Sequence, residues 1–166
     1  MGIQWLDSIL ASQWLSLLFA GTALSLIAII GTSANYAALA CPDFPTCQMR
    51  WWPPLMDFQE GFVMWRGLGI DYEGGVLDNP ARVAIHFTHR LGAILAVLVI
   101  GLFGFRLLRQ LTTKLDGMAI LAALATQLIL GASIVFFGVP LAGAVGHNGV
   151  AALLLLTVLN ANQRIN

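Results

Sequence analysis

The chain has 166 residues, of which 58% are hydrophobic and only 10% are charged, whereas a soluble domain carries about 25% charged residues. This composition excludes a soluble globule and a disordered chain, because too few charges remain to cover a surface in water. Eight Lys and Arg balance eight Asp and Glu, so no basic surplus serves nucleic acid, and we expect a lipid bilayer as the surroundings instead.

Four apolar segments follow one another along the chain, each long enough to cross the hydrocarbon layer as a helix. They predict membrane spans over residues 14–40, 81–106, 116–139 and 141–162. Asp78 and Pro80 mark the start of the second span, and Gly138 and Pro140 close the third. The predicted fold class is an all-α integral membrane protein. It is a single four-transmembrane-helix bundle over residues 1–166, with one long outer loop at residues 41–80.

The basic residues predict the orientation of these spans. Arg106, Arg109 and Lys114 form the densest basic cluster, in the short link between the second and third spans. The positive-inside rule assigns such a link to the cytoplasm. We therefore expect both termini in the cytoplasm and the 41–80 loop on the outer side.

That loop holds the chain's two cysteines, Cys41 and Cys47. An oxidising outer compartment favours a disulfide between them. Free thiols are the alternative. A metal site is a weaker one, because the loop offers no histidine to complete a zinc shell.

The rest of the loop predicts a short interfacial helix. Asp57 and Glu60 have the spacing of a capping box. Three aromatic residues then recur on one helical face, namely Phe58, Phe62 and Trp65. With Trp51 and Trp52 nearby, they fit an aromatic belt at the lipid headgroups or a lid over a cofactor.

All three histidines of the chain lie in predicted spans. His89 lies about 13 Å along its helix from Pro80, and His147 about 10 Å from Pro140, at 1.5 Å per residue. Both helices start on the same outer side, so two imidazoles at similar depth can supply both axial ligands of one haem. His86 lies one turn closer to the outside than His89, and spacing alone does not rank the two as ligands.

Other interpretations of these polar residues remain open. Histidines within spans also form interhelical hydrogen bonds, relay protons, or bind zinc or copper. Proton relays usually include a carboxylate, and a zinc or copper site needs further ligands, but the spans supply no carboxylate or thiol. His86 can instead hydrogen-bond a haem edge group or support a ligand. Arg90 can pair a propionate or extend to the membrane interface.

Several motifs in this order resemble those of the haem A synthase family. They are the segment Ser33–Cys47 with its Cys-Pro-Asp-x-Pro-x-Cys core, Gly74–Asp78, Ile85–Ala93 with its His-Arg pair, and Gly146–Asn148. The resemblance covers about residues 20–160. It implies oxidation of the methyl group of haem O to the formyl group of haem A, with haem O or haem A as substrate or product.

The resemblance also implies roles for individual residues. His89 and His147 correspond to the axial ligands of a haem b, and Cys41 and Cys47 to the loop disulfide. Family members fuse two four-helix bundles. In the substrate half a glutamate stands where this chain has His86, so the chain resembles the C-terminal, haem b-binding half, and no catalytic residue is identified.

The expected partners follow from the resemblance to only one of the two fused four-helix bundles. They are a second four-helix half or another copy of the chain, a haem O synthase and an electron donor, all in a bacterial inner membrane. The alternative function is a non-enzymatic b-type cytochrome or a haem-handling assembly module.

Overall fold

The computed structural model describes residues 32, 35–63 and 75–165. Its helices are α1 (Phe58–Gly61), α2 (Asn79–Leu108), α3 (Lys114–Phe136) and α4 (Leu141–Ile165). Helices α2, α3 and α4 are each long and apolar enough to cross a membrane. The protein is therefore an all-α membrane protein over the described ranges, and the predicted span over residues 14–40 lies outside them apart from its last few residues.

The last residues of that predicted span are not helical. Residues 35–40 form turns, because Tyr36 has a left-handed backbone with a φ of 52°. The Ala37 N–H donates to the Thr32 carbonyl at 3.1 Å, which is the hydrogen bond that typically closes a helix end. The prediction extends this span to residue 40, whereas the helical backbone has ended by Tyr36.

The predicted boundaries of the other spans lie close to the observed helices. Asp78 is the N-cap of α2, with Pro80 in its first turn, although the Asp78 side chain makes no capping hydrogen bond. Helix α3 ends at Phe136 and is followed by a left-handed Gly138, with a φ of 66°. The Val139 N–H donates to the Ile134 carbonyl at 2.9 Å. Pro140 then leads directly into α4.

Helix α3 packs against both α2 and α4. We call the end of the bundle near residues 109–113 the link end. There a Cβ on Gly117 would lie 2.7 Å from the Gly104 carbonyl oxygen, so α2 and α3 approach almost backbone to backbone. One buried apolar cluster fills this end, formed by Ile100, Phe103, Leu107, Ile120, Leu124, Leu154, Val158 and Ala161.

The opposite end, which we call the loop end, carries residues 35–63 and the first residues of α2 and α4. The loop packs on α2 through a buried cluster of Ala40, Cys41, Cys47, Val83 and Phe87. Trp52 meets the edge of Phe87 with ring centroids 5.2 Å apart. The loop therefore packs on the first turns of α2.

The predicted interfacial helix is one turn long. The Asp57 side chain accepts from the Glu60 N–H at 2.9 Å, which is one half of the predicted capping box, whereas the Asp57 N–H donates to the Pro80 carbonyl at 3.1 Å. Phe58 and Phe62 stack with ring centroids 6.4 Å apart. Trp65 lies outside the described residues.

Candidate functional site

Two histidine rings meet between α2 and α4. The ring centroids of His89 and His147 lie 6.4 Å apart, with 71° between the ring planes. Imidazole nitrogens bind first-row metal ions at about 2 Å, so one metal ion held between two such rings needs centroids roughly 6 Å apart. The separation of the two rings therefore fits a shared iron.

Helix α3 holds the His147 ring through Gln127. His147 Nδ1 lies 3.2 Å from the Gln127 carbonyl oxygen, and Nε2 lies 3.2 Å from the Gln127 side-chain nitrogen. A carbonyl oxygen only accepts, so Nδ1 donates and carries the hydrogen. Nε2 then accepts from the side-chain amide, and its lone pair is the one a metal would use.

Gly131 makes room for the same ring. It lies four residues after Gln127 and so on the same face of α3. A Cβ at this position would lie 2.9 Å from Cε1 of His147, closer than Cβ atoms tolerate. The absence of a side chain at Gly131 therefore lets the imidazole lie against the backbone of α3.

Two buried polar atoms at this site have no hydrogen-bond partner among the described residues. They are Nδ1 of His89 and Oε1 of Gln127. Leaving a buried polar atom unpaired costs about 1–3 kcal/mol. Unpaired buried atoms of this kind are typical of a ligand-binding site. A haem fits the donor set, which consists of two imidazoles within apolar helices.

His86 is used differently from His89. It is almost fully buried, at 5% exposed, and its Nδ1 lies 2.8 Å from the Ala37 carbonyl oxygen. This bond gives Nδ1 the hydrogen and ties α2 to the segment that precedes the loop. A contact between His86 and a haem edge stays a prediction.

Arg90 fastens the loop to α2. Its Nη1 donates to the Thr46 carbonyl at 2.6 Å. Its Nη2 donates to the Asp43 and Cys41 carbonyls at 2.8 and 3.0 Å. The sequence predicts that Arg90 pairs a propionate or extends to the interface, and the structure adds a partner that neither prediction includes. Since several guanidinium donors bind loop backbone, propionate pairing stays a prediction.

The loop itself is closed by a disulfide between Cys41 and Cys47, whose Cα atoms lie 4.6 Å apart. The predicted pairing is therefore present in the structure. Both cysteines are buried, at 0% and 2% exposed. The disulfide is thus part of the packing between the loop and α2.

Asp43 organises the interior of this loop. Its carboxylate accepts from the Gln48 and Met49 N–H groups at 2.6 and 3.0 Å, and from the Thr46 hydroxyl. Although desolvation acts in the opposite direction, these hydrogen bonds to the charged form hold the pKa of Asp43 below its usual value. The carboxylate therefore stabilises the left-handed turn at residues 48 and 49.

Two residues outside the predicted ligand set, Gln127 and Gly131, contact the His147 ring. Gln127 is an amide inside an apolar span, which is a recognisable signal for a functional position. From sequence, Gly131 is one of several small residues that either allow close helix packing or leave room for a macrocycle. No group of three or more His, Cys, Asp or Glu side chains converges within the described ranges, so the described part of the chain offers the histidine pair as its metal-ligating set.

Comparison with known proteins identifies the family. The family model of the COX15-CtaA cytochrome oxidase assembly protein matches residues 7–159. A protein of Shewanella oneidensis named heme A synthase is 41% identical over 131 residues, which are 79% of this chain and 39% of that protein. The chain thus spans about two fifths of the length of this relative. No solved structure matches the chain. With nearly the whole sequence inside the family model, the chain belongs to the haem A synthase family of cytochrome oxidase assembly proteins.

Proposed function

We propose that the chain binds a haem b with His89 and His147 as axial ligands and takes part in the oxidation of haem O to haem A. The observation that carries this proposal is the 6.4 Å separation of the two imidazole centroids. Their spacing suits a shared iron, and the family provides the biosynthetic context.

The chain's own residues contribute binding and orientation. The Gln127 carbonyl keeps the hydrogen of His147 on Nδ1, which leaves a lone pair on Nε2 as the metal-binding donor. Gly131 gives the ring its place. When bound, the haem supplies the redox chemistry of its iron, while the apolar helices exclude water around it.

The loop is proposed to fix the depth of the His89 end of the site. Arg90 immediately follows His89, and its guanidinium binds carbonyls of the disulfide loop. A shift of the loop would therefore displace the backbone at His89. In the orientation we propose, this loop lies on the outer side of a bacterial inner membrane, with the termini in the cytoplasm.

The chain corresponds to 39% of its heme A synthase relative, so we propose that methyl oxidation needs a second four-helix half. That half would be another subunit or a second copy of the chain. Oxidation of a methyl to a formyl group requires an oxidant. With dioxygen in that role an electron donor is needed as well, and a haem O synthase supplies the substrate.

Two measurements test the proposal. The full chain, purified in lipid nanodiscs, is titrated with iron protoporphyrin IX, and we expect the absorption bands of a low-spin iron with two nitrogen ligands. The loaded chain is then incubated with haem O, dioxygen and a reductant, alone and with a membrane extract, and the pigments are extracted.

The extracted pigments separate the two functions. Haem A formed in a manner that depends on this chain supports the proposal. Low-spin bands without haem A under either condition would favour the electron-transfer or assembly module. The absence of low-spin bands would overturn haem binding by this pair.

A further inference from the structure

Gln127 makes two contacts with one imidazole, and the two contacts have different consequences. The backbone carbonyl accepts from Nδ1 at 3.2 Å. The side-chain amide lies 3.2 Å from Nε2. Because Nδ1 carries the hydrogen, the amide must be the donor to Nε2.

We infer that Gln127 is a positioning residue for His147: its backbone carbonyl selects the tautomer, and its side-chain amide holds the Nε2 lone pair. This inference rests on the proposed function, in which Nε2 of His147 is the nitrogen that binds iron. One lone pair serves either an amide hydrogen or a metal. The side chain of Gln127 therefore competes with the iron that its backbone carbonyl prepares the ring to bind.

The surroundings of the amide support this role. Oε1 of Gln127 is buried without a hydrogen-bond partner in the described part of the chain, so the contact with His147 is the one that holds the side-chain amide. Gly131 brings the ring close enough to α3 for both contacts. A side chain held by one hydrogen bond can turn away from the ring at the cost of that bond alone.

The test compares Gln127→Leu with a neighbouring control. Leucine removes the amide and puts an apolar side chain of similar size in its place on α3. Thr126→Val is the control, because the Thr126 hydroxyl is exposed and donates to the Ala122 carbonyl of its own helix at 2.9 Å. Both variants are made in the full chain in nanodiscs.

The first readout is the ¹⁵N chemical shifts of histidine in the chain purified without haem. With three histidines in the chain, His147→Ala assigns the signals. In Gln127→Leu we expect the Nε2 signal of His147 to move toward that of a free lone pair, while its Nδ1 signal keeps the protonated position. An unchanged Nε2 signal, or an equal change in Thr126→Val, would overturn the inference.

The second readout is titration with iron protoporphyrin IX. Losing a competing hydrogen bond should tighten binding by roughly 2- to 10-fold in Gln127→Leu, with Thr126→Val matching the parent. Equal or weaker binding in Gln127→Leu would contradict the competition. If the parent chain binds no iron protoporphyrin, the proposed function fails, and the nitrogen shifts still decide whether Gln127 holds the ring.

Discussion

At the link end, side chains of α2, α3 and α4 form one buried cluster, whereas at the loop end α2 and α4 carry the histidine pair and α3 contacts the His147 ring. The buried residues of α3 stop at Leu124, and those of α4 begin at Leu154. Gln127, Gly131 and His147 lie beyond that limit. The helices thus pack through apolar side chains at the link end, whereas at the loop end polar side chains such as Gln127 and His147 contact each other.

The largest effect is expected at the link end. Gly117→Ala introduces a Cβ 2.5 Å from the Leu108 backbone nitrogen. Neither backbone can yield without separating α2 from α3, so we expect a loss of about 2–3 kcal/mol in the free energy of unfolding. Denaturant titration in mixed micelles measures it.

Gly149→Ala is the control for this substitution, because no described residue outside the neighbouring turns of α4 lies within 4 Å of its added Cβ. It should keep or slightly raise the stability, since alanine favours helix over glycine. Equal stability of Gly117→Ala and Gly149→Ala would contradict close packing at the link end.

The next effect concerns the attachment of the loop. Arg90→Leu removes the donors to four loop carbonyls, at 2.6, 2.8, 3.0 and 3.5 Å. We expect a loss of about 2 kcal/mol in local stability, which corresponds to roughly 30-fold faster amide exchange over residues 41–50. Hydrogen exchange with mass spectrometry measures the change.

Arg109→Leu is the matched control, since Arg109 lies at the link end over the Phe105 ring at 4.4 Å. It should leave exchange in the loop unaltered. If both arginine variants change loop exchange equally, Arg90 is not the attachment.

A smaller effect is expected where α3 touches His147. Gly131→Ala brings a Cβ to 2.9 Å from Cε1 of that ring. The ring must move away from α3, so we expect about 10-fold weaker binding of iron protoporphyrin. Gly149→Ala should bind within about twofold of the parent. Unaltered affinity in Gly131→Ala would show that the ring position does not limit binding.

The smallest effect is the pH dependence of the loop. The folded pKa of Asp43 lies below its usual value, which is about 3.9 in an unfolded chain. The stabilisation is therefore complete above that unfolded value and is lost as the pH falls through the lower folded pKa. Fluorescence of Trp51 and Trp52 measured against pH should show an acid transition.

Asp43→Asn serves as the comparison for this transition. An amide does not titrate, so the difference between the two pH curves isolates the contribution of Asp43. Identical curves would mean that the carboxylate contributes nothing to the loop.

Much of the helical fold could be predicted because apolar length and end signals coincide. Pro80 and Gly138 stand where α2 begins and α3 ends. The prediction ends the last span at residue 162, whereas α4 continues to Ile165. Its final turn is polar, and Arg164 pairs with Asp116 of α3 at 3.3 Å, a contact that hydropathy cannot reveal.

The histidine pair could be predicted because helix rise converts sequence position into depth. The partners of Arg90 could not, since they depend on how residues 41–47 return across α2. The role of Gly131 likewise depends on the distance between α3 and α4. Contacts between segments distant in sequence therefore separate the predicted site from the observed one.

The most direct test of the His89 and His147 pair is the visible spectrum of the full chain loaded with iron protoporphyrin IX. We predict low-spin bands in the parent chain and their loss in His89→Ala and in His147→Ala. His86→Gln, which can still donate to the Ala37 carbonyl, should retain them. Low-spin bands that persist in either alanine variant would contradict ligation by this pair.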